Sequence, residues 1–190
     1  GQQNNDYFGS SIASAGDFNG DGKDDVIVGA PGDDNNGSVS GSAFIFFGGI
    51  TGIKNADTDA DVIISGEAVG DNVGQSVSSA GDFNGDGKSD VIVGAPKEST
   101  NGTGCGSAYI FFGGITGTKG SNTDADVILN GSQCSNFGYS VASAGDFNGD
   151  GKDDVIIGDY HTSDVSVITK AYIFFGGITG TLNDTSADVI

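Results

Sequence analysis

Three nine-residue stretches concentrate oxygen-bearing side chains at a spacing that suits metal coordination. The first reads Asp17-Phe18-Asn19-Gly20-Asp21-Gly22-Lys23-Asp24-Asp25, and copies run over Asp82–Asp90 and Asp146–Asp154, their first residues 65 and then 64 positions apart. Oxygens at loop positions 1, 3, 5 and 9, joined by a backbone carbonyl at position 7, form a donor set for a hard cation that takes six to eight oxygen ligands. The predicted ligands are Asp17, Asn19, Asp21 and Asp25 by side chain with the Lys23 carbonyl. The second loop supplies Asp82, Asn84, Asp86 and Asp90 with the Lys88 carbonyl, and the third Asp146, Asn148, Asp150 and Asp154 with the Lys152 carbonyl. Gly22, Gly87 and Gly151 at position 6 permit the sharp turn that brings this carbonyl inward.

Position 8 varies between Asp24, Ser89 and Asp153, which argues against a ligand there. The start of each loop resembles an EF-hand, but position 12 is Val28, Val93 or Ile157 rather than Glu, and the flanking runs are strand-like. Many flexible oxygens without a phosphate favour calcium over magnesium, so three calcium ions per chain are expected, each holding a hairpin closed. The plainer alternative is a solvated Asp-Gly turn with no ion, against which stand three matching copies.

Composition narrows the functional classes. The formal charge is −19, from 26 acidic residues against seven Lys. Nothing here could neutralise phosphates, which excludes a nucleic-acid role. Eleven of the acids crowd into the three loops, where they repel one another unless a cation intervenes. No apolar run approaches a membrane span, and no signal-peptide core precedes the first loop, so any targeting segment is expected to be missing or removed.

The loops must be held by strands. Val26-Ile27-Val28, Phe44-Ile45-Phe46-Phe47, Val91-Ile92-Val93 and Tyr109-Ile110-Phe111-Phe112 are the β-branched and aromatic runs that buried strands require, separated by Gly-rich turns. Each repeat predicts four short strands, in the first unit about 8–14, 25–29, 42–47 and 60–64, with no helical periodicity. The expected fold is therefore all-β: a β-propeller of four-stranded antiparallel blades, three per chain, at about 7–65, 72–129 and 136–190 of a single unit spanning 1–190. Up-and-down order puts all three acidic loops on one rim. The variable links (31–40, 97–105 and 159–169, with the connections between units) share the other.

The units resemble the FG-GAP repeats of the integrin α-subunit propeller over essentially the whole chain. Phe8-Gly9 and Phe137-Gly138 carry the first half of that motif, with Val73-Gly74 in the second unit; Gly29-Ala30-Pro31 and Gly94-Ala95-Pro96 carry the second half, replaced by Gly158-Asp159-Tyr160 in the third. The resemblance implies calcium in each hairpin loop and a non-enzymatic, secreted or extracellular adhesion module that recognises a protein ligand on its metal-free rim. Lectin-like glycan binding by that rim is a second reading. A non-catalytic scaffold attached to a hydrolase is a third, since such repeats accompany hydrolases elsewhere. Three blades fall short of the four to eight that close a ring. A homodimer closing six blades is expected, or else the chain is part of a longer array.

Cys105 and Cys134 lie on the same predicted rim, where a disulfide across 29 residues is expected; two free thiols are the alternative. His161, beside Asp159 and Tyr160 and near Asp164, reads as a loop residue rather than a general base, and no nucleophile elbow, zinc cluster or phosphate loop accompanies it. The aromatic pairs Phe44/Phe46, Tyr109/Phe111 and Tyr172/Phe174 read as core between blades rather than as sugar-stacking platforms. Phe18, Phe83 and Phe147, at loop position 2, are expected to pack beneath their loops.

Overall fold

The computed structural model describes residues 5–99, 102–132, 134–160 and 169–189. In the first unit β1 (Ser11–Gly16), β2 (Asp25–Ala30), β3 (Ser42–Phe46) and β4 (Val62–Ser65) pair antiparallel in sequence order. The second unit repeats this with β5 (Ser76–Gly81), β6 (Asp90–Ala95), β7 (Ser107–Phe111) and β9 (Val127–Asn130). The third supplies β10 (Ser140–Gly145), β11 (Asp154–Gly158) and β12 (Ala171–Phe174). In every unit the register shifts just before the acidic loop, at Ser14/Gly16, Ser79/Gly81 and Ser143/Gly145. Such a bulge bends the strand and aims the loop outward.

The plain four-stranded blade needs correction. Two further strands, β8 (Gly117–Gly120) and β13 (Gly180–Asn183), leave their own units and pair in parallel with β4 and β9 of the preceding ones. The first two sheets therefore have five strands, while the third has three, with Val189 bridged to Ile173 where a fourth strand was expected. The cause is the open edge of each last strand, whose unpaired backbone groups accept an extended segment from the neighbour. A one-turn helix, Ala56–Asp59, also escaped the sequence reading; Asn55 caps it, accepting the Asp57 N–H at 3.1 Å.

The core lies between sheets. One cluster joins Phe18, Ile27, Ile45 and Ile64 of the first unit to Val77, Val91, Tyr109 and Phe111 of the second. The other joins Phe83, Ile92, Ile110 and Leu129 to Phe137, Val155, Tyr172 and Phe174. Tyr109/Phe111 and Tyr172/Phe174 are thus core between sheets as expected, whereas Phe44/Phe46 pack with Ala30 and Ala56 in a smaller cluster within the first unit, because no preceding sheet lies against their face. The two halves of the FG-GAP-like signature meet across these joints, because a Cβ on Gly29 would collide with the Gly74 carbonyl oxygen, and one on Gly94 with that of Gly138. Glycine is needed where backbones approach this closely.

Hydrogen bonds separate the two rims. On one, the link after β2 meets the link after β4: Gly66 N–H donates to Gly41 at 2.9 Å and the Asn72 amide to the Pro31 carbonyl at 2.9 Å. On the other, the acidic loops meet the turns after β3, β7 and β12. The Cys105–Cys134 disulfide forms on the first of these rims. Replacing both cysteines by Ser is expected to cost about 3 kcal/mol of stability, read by urea unfolding of oxidised protein and variant. No described helix is long and apolar enough to cross a membrane.

Candidate metal centre

Each acidic loop is wound by its own side chains. In the first, Asp17 Oδ2 accepts the Gly22 N–H at 2.9 Å, Asn19 Oδ1 the Asp21 N–H at 2.8 Å and Asp21 Oδ1 the Lys23 N–H at 3.0 Å. The second loop repeats these bonds from Gly87 to Asp82, Asp86 to Asn84 and Lys88 to Asp86. The third does so from Gly151 to Asp146, Asp150 to Asn148 and Lys152 to Asp150. Positions 1, 3 and 5 are thereby drawn around one turn, and the position-6 glycines take φ of 87°, 90° and 91° to complete it. Positions 1, 3, 5 and 7 of each loop thus lie within a single hairpin connection, while position 9 opens the following strand.

Position 9 does something the spacing does not reveal. Asp25, Asp90 and Asp154 are buried, and each ties its loop to the turn after the third strand. Asp25 Oδ2 accepts from Phe18 and Asn19 at 2.9 and 3.2 Å while Oδ1 accepts from Gly48 at 2.7 Å. Gly113 and Gly176 donate in the same way to Asp90 and Asp154. A carboxylate offers about four lone-pair sites, so these anchors retain little capacity for an ion. A companion set also went unnoticed: Asp61, Asp126 and Asp188 accept the N–H of Phe47, Phe112 and Phe175 at 2.8, 2.7 and 2.8 Å. Their recurrence in all three units was the signal available.

Two observations bear on whether a cation fits. Asp17 Oδ1 is buried with no hydrogen-bond partner, an arrangement that leaves a carboxylate oxygen for some other positive group. Against a ready-made cage, no cluster of three or more His, Cys, Asp or Glu side chains among the described residues stands poised to hold a metal. The donor set that the loops offer is mixed (carboxylate, amide and carbonyl oxygens), which suits calcium's flexible coordination. Packing around the loops differs along the chain. Phe18 and Phe83 are buried as expected, whereas Phe147 is largely exposed, because no sheet covers the third loop.

The opposite rim carries buried polar groups and exposed aromatics. Tyr139 and Tyr160 lie with ring centroids 4.7 Å apart, both partly exposed, and Asn136 donates to the Tyr160 carbonyl at 2.7 Å. A cleft of about 410 Å³ lies among Tyr7, Asp34, Val39 and Asn72. His161 and Asp164 lie outside the described residues. Burial raises the Asp71 carboxyl above its ordinary value, opposed by the Ala68 N–H and reinforced by Glu98 and Glu67. The native state then holds a proton that the unfolded chain has lost, so stability falls as pH rises from the ordinary value of 3.8 through the raised one, and the penalty persists above it. Asp71→Asn is expected to flatten that part of the Tm–pH curve and to raise Tm at pH 7, read by calorimetry across the acid range.

Stacked sheets with metal-suited loops on one rim define a propeller-type repeat protein. The FG-GAP repeat model matches residues 8–45, 73–111 and 137–168, and the chain belongs to that family. Integrin alpha pat-2 of Caenorhabditis briggsae is 30% identical over 194 residues, covering 93% of this chain and 15% of that protein. Phosphatidylinositol-glycan-specific phospholipase D of Bos taurus is 33% identical over 157 residues, 80% of this chain and 18% of that one. Integrin alpha-IIb of Mus musculus is 31% identical over 175 residues, 88% of this chain and 16% of that one. The chain thus spans less than a fifth of the length of these curated relatives.

Proposed function

We propose that this chain is a calcium-loaded, non-enzymatic binding or adhesion module of an extracellular protein. The observation that carries the reading is the threefold repetition of a loop whose positions 1, 3 and 5 wind around one turn. Asp17, Asn19, Asp21 and the Lys23 carbonyl, with their counterparts in the other loops, would hold the ion; Asp25, Asp90 and Asp154 anchor the loop and contribute what coordination they retain. Calcium supplies the positive charge that lets several carboxylates share one turn. It is structural, not catalytic. The disulfide supports an oxidising compartment.

Recognition is assigned to the rim away from the metal, where the three units differ in sequence, and the likeness to integrin alpha chains supports a protein ligand. The exposed Tyr139–Tyr160 pair favours a glycan as a second ligand class. The likeness to a phospholipase D favours a third reading, a scaffold for a catalytic domain elsewhere in a longer protein. An array of purified matrix proteins and glycans, probed with calcium present, separates these. Capture by a matrix protein that Asp34→Lys or Tyr160→Ala weakens is the expected result. Capture by simple glycans alone supports the lectin, and no capture on either panel would leave the scaffold as the better account.

A further inference from the structure

The two joints between blades are tied differently on the metal-free rim, although their backbones match. At the first, Gly66, Asn72 and Val73 donate their N–H groups to the carbonyls of Gly41, Val39 and Ser40 at 2.9, 3.3 and 3.0 Å. At the second, Gly131, Asn136 and Phe137 donate to Gly106, Gly104 and Cys105 at 2.9, 3.1 and 3.0 Å. Asn72 and Asn136 hold the same place, one residue before Val73-Gly74 and Phe137-Gly138, and share a left-handed backbone with φ of 57° and 54°. Their side-chain amides serve opposite neighbours. Asn72 reaches back to the preceding blade and donates to the Pro31 carbonyl at 2.9 Å, whereas Asn136 donates forward, within its own blade, to the Tyr160 carbonyl at 2.7 Å.

The Cys105–Cys134 bridge supplies the backward tie that Asn136 does not make. Its two residues stand where the first joint has Ser40 and Gly70, and Cys134 takes φ of 50° where Gly70 takes 89°. A residue with a Cβ is uncommon in that conformation, and the bridge holds Cys134 there. The pinned segment in turn grips Tyr160. Ser135 accepts the Tyr160 N–H at 2.8 Å through its carbonyl, and its hydroxyl donates to Asp159 at 2.7 Å. The Asn136 carbonyl accepts the Tyr139 N–H at 3.1 Å. Both rings of the exposed pair, 4.7 Å apart, therefore hang on residues 134–136.

We propose that the Cys105–Cys134 bridge is a redox switch for the Tyr139–Tyr160 pair. With the bridge closed, Asn136 holds Tyr160 beside Tyr139. With it open, Cys134 leaves the left-handed conformation, Asn136 turns back to the Pro96 carbonyl as Asn72 does to Pro31, and Tyr160 is released. Both arrangements of this asparagine already exist in the chain, one at each joint, so the element has two defined states. Opening takes a dithiol reductant. One of its thiolates attacks the partly exposed Cys134 sulfur, and the Cys105 thiolate leaves and takes up a proton. The reductant's second thiol then displaces Cys134 from the mixed disulfide. Both cysteines end as thiols, and the reductant, having given two electrons, ends as a cyclic disulfide. The switch concerns the geometry of the rim and stands whichever ligand that rim takes.

Nuclear magnetic resonance of the calcium-loaded chain, oxidised and then treated with dithiothreitol, tests it. Overhauser contacts between the Tyr139 and Tyr160 rings are expected in the oxidised protein, lost on reduction and recovered on reoxidation. The Asn136 side-chain amide should gain a contact to Pro96 in the reduced protein, while the resonances of the acidic loops stay in place. Cys105→Ser combined with Cys134→Ser should give the reduced pattern without reductant, and Asn136→Ala should lose the ring contact with the bridge intact. Ring contacts that survive reduction would overturn the proposal. So would a pair that parts without Asn136 meeting Pro96, or a reduced wild-type chain that loses its native circular dichroism, since the bridge would then hold the fold and not the pair.

Discussion

Phe83→Ala is expected to cost about 3–5 kcal/mol, the range for emptying a buried aromatic site that cannot fully collapse. Phe83 sits at position 2 of the second acidic loop, buried in the core between the second and third sheets, and its carbonyl accepts the Gly177 N–H. Removing the ring opens a cavity at that joint and loosens the loop it supports. Phe147 occupies the same position in the third loop but lies exposed. Phe147→Ala should therefore cost less than about 0.5 kcal/mol. Denaturant unfolding of both variants reads the difference. Equal losses would mean that the ring stabilises its own loop and that burial between sheets is not what matters.

Chelation should have the larger effect. A ligand that binds only the native state at about 100 times its Kd contributes about 2.7 kcal/mol per site. Occupied loops on all three hairpins would then contribute about 8 kcal/mol, so excess chelator should lower Tm by about 15–30 °C. Asp82→Asn together with Asp86→Asn should reproduce about a third of that fall and make the remainder of the curve less sensitive to calcium. The direction follows from charge: eleven carboxylates in three short turns repel one another when no cation balances them. A Tm indifferent to chelator would demote the loops to ordinary turns.

Much of the architecture was legible because the chain repeats itself. Asp-x-Asn-x-Asp-Gly in triplicate marked the loops, and Val-Ile-Val and aromatic-Ile-Phe marked the strands on either side. The parallel strands β8 and β13 were not legible. Gly-Thr-Lys-Gly has no apolar alternation and a single β-branched residue, Thr118, and it becomes a strand only because β4 offers an open edge. The dual use of Asp25 was hidden for a similar reason: its partner, the Gly48 N–H, lies two strands later and reaches it only once the blade has formed. Phe147 departs from Phe18 and Phe83 although the local sequence is the same, since burial here comes from the neighbouring sheet. What a residue's own repeat could not specify was what the next repeat does to it.

Calorimetric titration of the metal-stripped chain with calcium tests the central claim most directly. A stoichiometry of about three ions per chain is predicted, falling to about two when Asp82 and Asp86 are both changed to Asn. No heat of binding, or a stoichiometry unaltered by those substitutions, would contradict the assignment of calcium to these loops.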